Sequence, residues 1–187
     1  MTGLIILAVV VGVGLMFLLW AVGIYNTLVT LRQGVDAAWA QIDVQLKRRH
    51  DLIPNLVLAI KGVMDFEQQT LTRVIEARNR AMMVGGVAAK AAQEAHLSQA
   101  LRQLFVVAEQ YPVLQSNENV RQLQEELVST ENRISFARQF YNDITTQFNT
   151  ALETFPTNLL GSTFHFEPAT LFEITTAAER DVPPVRL

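Results

Sequence analysis

From Gly3 to Ile24 the chain reads GLIILAVVVGVGLMFLLWAVGI, and no charged residue occurs before Arg32. A helix needs roughly 20 apolar residues to cross a hydrocarbon core, so this run predicts a transmembrane helix. Trp20 and Tyr25 stand at its C-terminal edge, where amphipathic rings favour the headgroup region, and both are read as membrane-interface anchors. A cleaved signal peptide is the rival reading, because Ala21-Val22-Gly23 has a small-x-small form. Against it, no basic segment precedes the run, and the run is longer than a typical signal core. No Lys or Arg precedes the span, whereas Arg32, Lys47, Arg48 and Arg49 follow it. That asymmetry predicts an N-terminus outside and the bulk of the chain in the cytoplasm.

Past Tyr25 the pattern becomes a seam. Leu28, Val35 and Ile42 share one heptad position, Leu31 and Ala38 a second, and Trp39 and Leu46 lie alongside. Stepping back by sevens reaches Ala21, Ile24 and Phe17, so one face continues out of the apolar run, and a single unbroken helix to about Arg49 is expected. No Pro intervenes to kink it, although Gly34 costs about 1 kcal/mol of helix propensity. Lys47, Arg48, Arg49 and His50 suit a helix C-terminus, and Asp51 can cap a new helix whose first turn tolerates Pro54. A turn is therefore predicted at His50–Pro54. The second helix would run to about Met83 on a stripe of Ile60, Met64, Leu71, Val74, Ile75 and Met82, and stop at Gly85-Gly86.

The third helix starts in AAKAAQEA, continues through Leu97, Leu101, Leu104, Phe105 and Ala108, and ends at Tyr111-Pro112. Asn117 is a fitting cap for the fourth, with Glu118 in its first turn. There Val120, Leu127, Ile134, Tyr141 and Phe148 recur every seven residues, joined by Leu123, Thr130, Ala137, Ile144 and Ala151. Such heptads call for helix packing along the full length, roughly 50 Å, up to Phe155-Pro156. The remainder holds Phe164, Phe166, Leu171 and Phe172 without helical spacing, apart from a short helix expected near Pro168–Ala178, and reads as an apolar strap with a loose end at Pro183-Pro184. The expected fold is all-α. A single transmembrane helix is continuous with the first helix of an antiparallel four-helix bundle, and an irregular C-terminal strap follows. The implied divisions are an anchor at 1–25, a bundle at 26–156 and a strap and tail at 157–187.

Removing the anchor leaves about 160 residues, enough for one ordinary domain. A net charge of −3 and a pI near 5.6 give no electrostatic case for nucleic acid. Without cysteine there is no disulfide and no thiolate chemistry. His50, His96 and His165 are isolated, and Glu94-Ala95-His96 misses the Glu-x-x-His spacing of di-iron bundles by one residue. No catalytic residue, metal site or cofactor is expected.

Polar residues on apolar stripes carry more information. Arg78 lies seven after Leu71, Glu131 and Arg138 are seven apart beside the fourth helix's seam, and Asp43 follows Ile42. Charges buried there must pair, so Asp43, Arg78, Glu131 and Arg138 form a candidate structural network that fixes helix register. Lys47-Arg48-Arg49-His50 is read as a solvated helix end. It lies about 36 Å along a helix from Ile24, too far for the headgroups of its own membrane.

Several strings resemble LemA proteins. They are Tyr25-Asn26, Ala38-Trp39 with Ile42 to Val57, Val107 to Pro112, Leu123 to Leu127, Thr130 to Ile134, and Ala137-Arg138 with Tyr141-Asn142. The resemblance covers nearly the whole chain, including Phe155-Pro156-x-Asn158. It implies a bacterial protein with one N-terminal span and a helical bundle, in a family with no established general activity. That family includes a magnetosome protein implicated in shaping its organelle's membrane, and its genes often neighbour those of membrane proteases. The expected function is a non-enzymatic, self-associating scaffold on the inner membrane that organises or remodels the bilayer. The alternative is an adaptor of a membrane protease or other envelope complex. The expected partners are the lipid bilayer, further copies of the chain, and such a protease or envelope protein.

Overall fold

The computed structural model describes residues 1–62 and 68–173. Among the described residues the secondary structure is helical throughout: α1 Thr2–Lys61, α2 Gln68–Met83, α3 Val87–Ala108, α4 Pro112–Gln115, α5 Glu118–Glu153 and α6 Thr157–Thr163. The first part of α1 is long and apolar enough to cross a membrane, and none of that apolar window is buried in the protein.

The largest departure from expectation is at His50–Pro54. No turn occurs there, and α1 runs through Pro54 to Lys61. Residues 54–61 thus belong to the first helix, and Arg49 and His50 are buried instead of capping an exposed end. Gly62 lies in a turn. Met64, on the predicted stripe of the second helix, lies outside the described residues. Met82, on the same stripe, is exposed, and Ala77 and Ala81 take the buried positions. Gly86, at φ 80°, separates α2 from α3 in a conformation that suits glycine.

The chain forms two compact units. One joins the described residues of 41–138 with those of 170–173. Its core gathers Ile53, Leu56, Val57 and Ile60 of α1, Leu71, Val74, Ala77 and Ala81 of α2, and Leu97, Leu101, Leu104 and Ala108 of α3. Leu114 of α4 and Val120 and Leu127 of α5 complete it. The α3 residues recur at the three- and four-residue spacing that puts them on one face. Asn117 caps α5 as read, its Oδ1 accepting the backbone N–H groups of Asn119 at 3.0 Å and Val120 at 3.3 Å. Beside that cap the Arg121 guanidinium donates to Glu118 and holds its carboxyl below the usual range.

The other unit joins residues 1–40 with 139–169. Trp39 meets Tyr141 edge to face at 5.6 Å, and the Arg32 guanidinium lies 5.9 Å from the Phe148 ring centre. A Cβ at Gly34 would lie 3.4 Å from Ile144 Cγ2. Tyr141 and Phe148 are buried, as their heptad places require, and burial pushes the Tyr141 phenol above its ordinary range. Residues 157–163, expected to be irregular, instead form α6, which ends in a Schellman turn. Phe166 N–H donates to Gly161 O at 2.9 Å and His165 N–H to Ser162 O at 3.3 Å, with His165 at φ 56°. Residues 168–173 are not helical, and the rest of the helix expected near 168–178 lies outside the described residues, as does Pro183-Pro184.

Gly34 sits inside a helix with only an ordinary contact ahead of it, so Gly34→Ala should raise stability by about 0.5–1 kcal/mol. At Gly161 a Cβ would meet Leu152 Cδ2 at 3.0 Å, and Gly161→Ala should give no such gain. Thermal unfolding of the detergent-solubilised chain, followed by circular dichroism, reads both. A gain at Gly161 larger than at Gly34 would contradict this packing.

Candidate functional site

Within residues 41–138 the four long helices contribute to one buried polar cluster. Glu94 on α3 is 0% exposed, Arg49 on α1 3% and His50 5%. The Glu94 carboxylate meets His50 Nε2 at 2.7 Å through Oε1, and Arg49 Nη1 at 3.5 Å through Oε2. Arg49 reaches two further partners: Nη2 donates to Ser98 Oγ at 2.8 Å, and Nη1 lies 3.0 Å from Glu131 Oε2 on α5. Ser98 follows Glu94 by one helical turn, so both side chains project from the same face of α3.

The fourth helix enters through the backbone. Pro54 has no N–H, so the carbonyl four residues earlier, on His50, has no helical donor. Arg78 on α2 supplies one: its Nε donates to His50 O at 2.7 Å, while Nη1 donates to Asn79 Oδ1 at 3.1 Å. The helix survives its proline because a guanidinium replaces the missing amide. An orphaned carbonyl at partial burial would otherwise cost about 1–3 kcal/mol.

The four polar residues singled out from sequence fare differently. Glu131 and Arg78 both join this cluster, one through Arg49 and the other through the His50 carbonyl. Asp43 makes its own ion pair with Lys90 at 3.0 Å and is exposed. Arg138 places its guanidinium 4.7 Å from the ring centre of Phe172, which is buried. Arg49, His50, Glu94 and Ser98 were not singled out as a site. Two signals pointed to them: Glu94 lies three before Leu97 and seven before Leu101, on the apolar stripe of α3, and Pro54 lies four after His50. Of the two interface residues, Trp20 is exposed and stacks at 5.3 Å on Phe17, while Tyr25 contacts Phe164 at 4.8 Å and Phe166 at 5.9 Å.

Chemically, the His50–Glu94 pair has the residue types of an acid–base couple, but catalysis needs such groups to reach a substrate. A carboxylate with no exposed surface cannot. Elsewhere, a shallow groove between α2 and α3 brings Arg73, Arg80 and His96 together with glutamines. Among the described residues no three His, Cys, Asp or Glu side chains converge as a metal site would need.

Removing one member of a buried ion cluster leaves the others uncompensated, so Glu94→Ala should cost about 3–5 kcal/mol in chemical denaturation. Arg78→Met should cost about 1–3 kcal/mol, and much less when Pro54→Ala has restored the helical amide. A double-mutant cycle reads this as a coupling of about 1 kcal/mol, and strict additivity would remove the proposed link between Pro54 and Arg78.

Residues 38–187 match the LemA family. Magnetosome protein MamQ 2 of Paramagnetospirillum magneticum is 24% identical in a match that covers 84% of this chain and 68% of that protein. Magnetosome protein MamQ of Magnetospirillum gryphiswaldense is 23% identical over the same shares. Protein LemA of Metamycoplasma hominis is 24% identical over 178 residues, covering 95% of this chain and 81% of its own length. Because the family match takes in most of the sequence, including α2, α3, α5 and the buried cluster, the chain belongs to the LemA family.

Proposed function

We propose that this LemA protein is a membrane-anchored helical scaffold that self-associates and helps to organise or remodel the bacterial inner membrane. The carrying observation is the apolar half of α1. Side chains from Leu4 to Trp20 are exposed along it, and no part of the protein buries them. Apolar surface of that extent is stable only against lipid or other copies of the same helix. The helix continues from there as the seam residues Leu28, Val35 and Ala38, which are buried. In this reading the N-terminus faces out and an antiparallel four-helix bundle lies in the cytoplasm. The contacts of Trp39 with Tyr141 and of Arg32 with Phe148 support opposed α1 and α5 directions. Relatives named as magnetosome proteins support a role in building a cell structure. The sealed Glu94 cluster favours a register-fixing role over chemistry, and with it a non-enzymatic function.

A second reading, an adaptor for a membrane protease or another envelope complex, has one observation in its favour. Val128 and Phe136 are exposed on α5, and apolar side chains left open in this way can dock a different protein.

The test is the composition and mass of the full-length protein, extracted gently from its own membranes, by native mass analysis with protein identification. A discrete complex of this chain alone is the expected result. A stoichiometric protease or other membrane protein would make the adaptor reading primary, and a monomer in several mild detergents would count against both.

A further inference from the structure

The unit formed by residues 1–40 and 139–169 carries a second apolar surface, which the anchor reading leaves unused. Helix α6 packs at the level where the apolar run of α1 ends. A Cβ on the buried Gly161 would lie 3.0 Å from Leu152 Cδ2 and 4.0 Å from Leu28 Cδ1, and Leu28 is less than one turn beyond Tyr25. The Schellman turn that closes α6 brings Phe164 and Phe166 onto the Tyr25 ring, at 4.8 and 5.9 Å. On the sides not used for packing, Phe155, Leu159 and Phe164 remain 74%, 58% and 52% exposed.

The chemistry of this segment matches a water–lipid boundary. Between Glu153 and Glu167 there is no Asp, Glu, Lys or Arg, and His165 is the one titratable side chain, so entering a headgroup layer strips no carboxylate, ammonium or guanidinium of its hydration. Three hydroxyls in and beside the segment, on Thr154, Ser162 and Thr163, are already satisfied within the helices. Ser162 Oγ donates to Leu159 O at 3.0 Å, Thr163 Oγ1 to Leu159 O at 2.7 Å and Thr154 Oγ1 to Thr150 O at 2.7 Å. On α1 the same holds for Thr27, which donates to Gly23 O at 3.0 Å, and for Thr30, which donates to Asn26 O at 2.9 Å.

We propose that residues Phe155 to Phe166, with α6 at their centre, form a second, monotopic membrane contact that lies in the headgroup region beside the span. The inference rests on the anchor proposed above, and its occupant is the lipid surface continuous with Tyr25. A single span leaves its helix free to tilt. A second contact on the same rigid unit restricts that tilt and sets the angle at which the packed helices leave the bilayer. With no Lys or Arg in the segment, the contact does not depend on anionic lipid.

The full-length chain has no cysteine, so single-cysteine variants can be labelled with an environment-sensitive dye and reconstituted in phosphatidylcholine vesicles. Leu18→Cys reports the span, Leu159→Cys the proposed contact, and Ala40→Cys an exposed site on α1 about 22 Å beyond Tyr25. Quenching by nitroxide-bearing phosphatidylcholine should be several-fold stronger at Leu18 and Leu159 than at Ala40, and unchanged when anionic lipid replaces part of the host. Quenching at Leu18 with Leu159 behaving like Ala40 would overturn the second contact and leave the anchor standing. A blue shift at Leu159 without lipid quenching would also overturn it, because another copy of the chain would then cover the patch. Loss of quenching at Leu18 itself would remove the anchor and the second contact together. A requirement for anionic lipid at Leu159 would refute the uncharged contact.

Discussion

A carboxylate without solvent determines how this fold is held. Glu94 has lost its water on α3, and an isolated charge there would cost several kcal/mol. Arg49 and His50 answer it from adjacent positions of α1, and Arg49 extends the same interaction to Ser98 and to Glu131 on α5. Such a cluster adds little net stability over a well-packed apolar core. Its effect is directional: sliding α3 by a turn against α1 would leave the buried Glu94 carboxylate without its partners. Pro54 and Arg78 are connected to it through the His50 carbonyl.

The other unit is held by different means. Aromatic rings and aliphatic groups do most of the work: Trp39 on Tyr141, Phe148 against Phe166, and Tyr25 among Phe164 and Phe166. Its polar contacts include that of Asn149 on α5, which both donates to and accepts from the backbone of Ala169, beyond α6, at 2.9 and 2.8 Å. An interior of that kind suits a unit whose α1 leads into apolar surface, since it places few ions near a low-dielectric phase.

Legibility in the sequence followed the range of the interactions. The five heptads of α5 were readable because Val120, Leu127, Ile134, Tyr141 and Phe148 all point to one buried face, and periodicity alone reports that. The Asn117 cap and the Gly86 break are equally local. The error at His50–Pro54 came from signals that are locally correct: basic residues, then Asp, then Pro three residues on, do compose a helix end and a new start. They were overridden by groups 28 to 45 residues away, Arg78 at the His50 carbonyl and Glu94 at the Arg49 and His50 side chains. Helix α6, within the stretch expected to be irregular, was not legible for a related reason: seven residues are too few to show a period.

The sequence by itself determined a helical fold class, an uncharged apolar stretch ahead of Arg32, a long heptad-bearing helix over residues 118–153, and the lack of cysteine for thiolate chemistry. These follow from composition and from the spacing of neighbours along the chain, which need no partner to be read. Only the tertiary structure decided that α1 continues past a proline, that Arg49, His50 and Glu94 are interior, and that Phe164 and Phe166 return to Tyr25. Each depends on a hydrogen bond, ion pair or ring contact between segments far apart in sequence. Whether a polar group is paired or stranded is settled only when the chain has brought its partner to it.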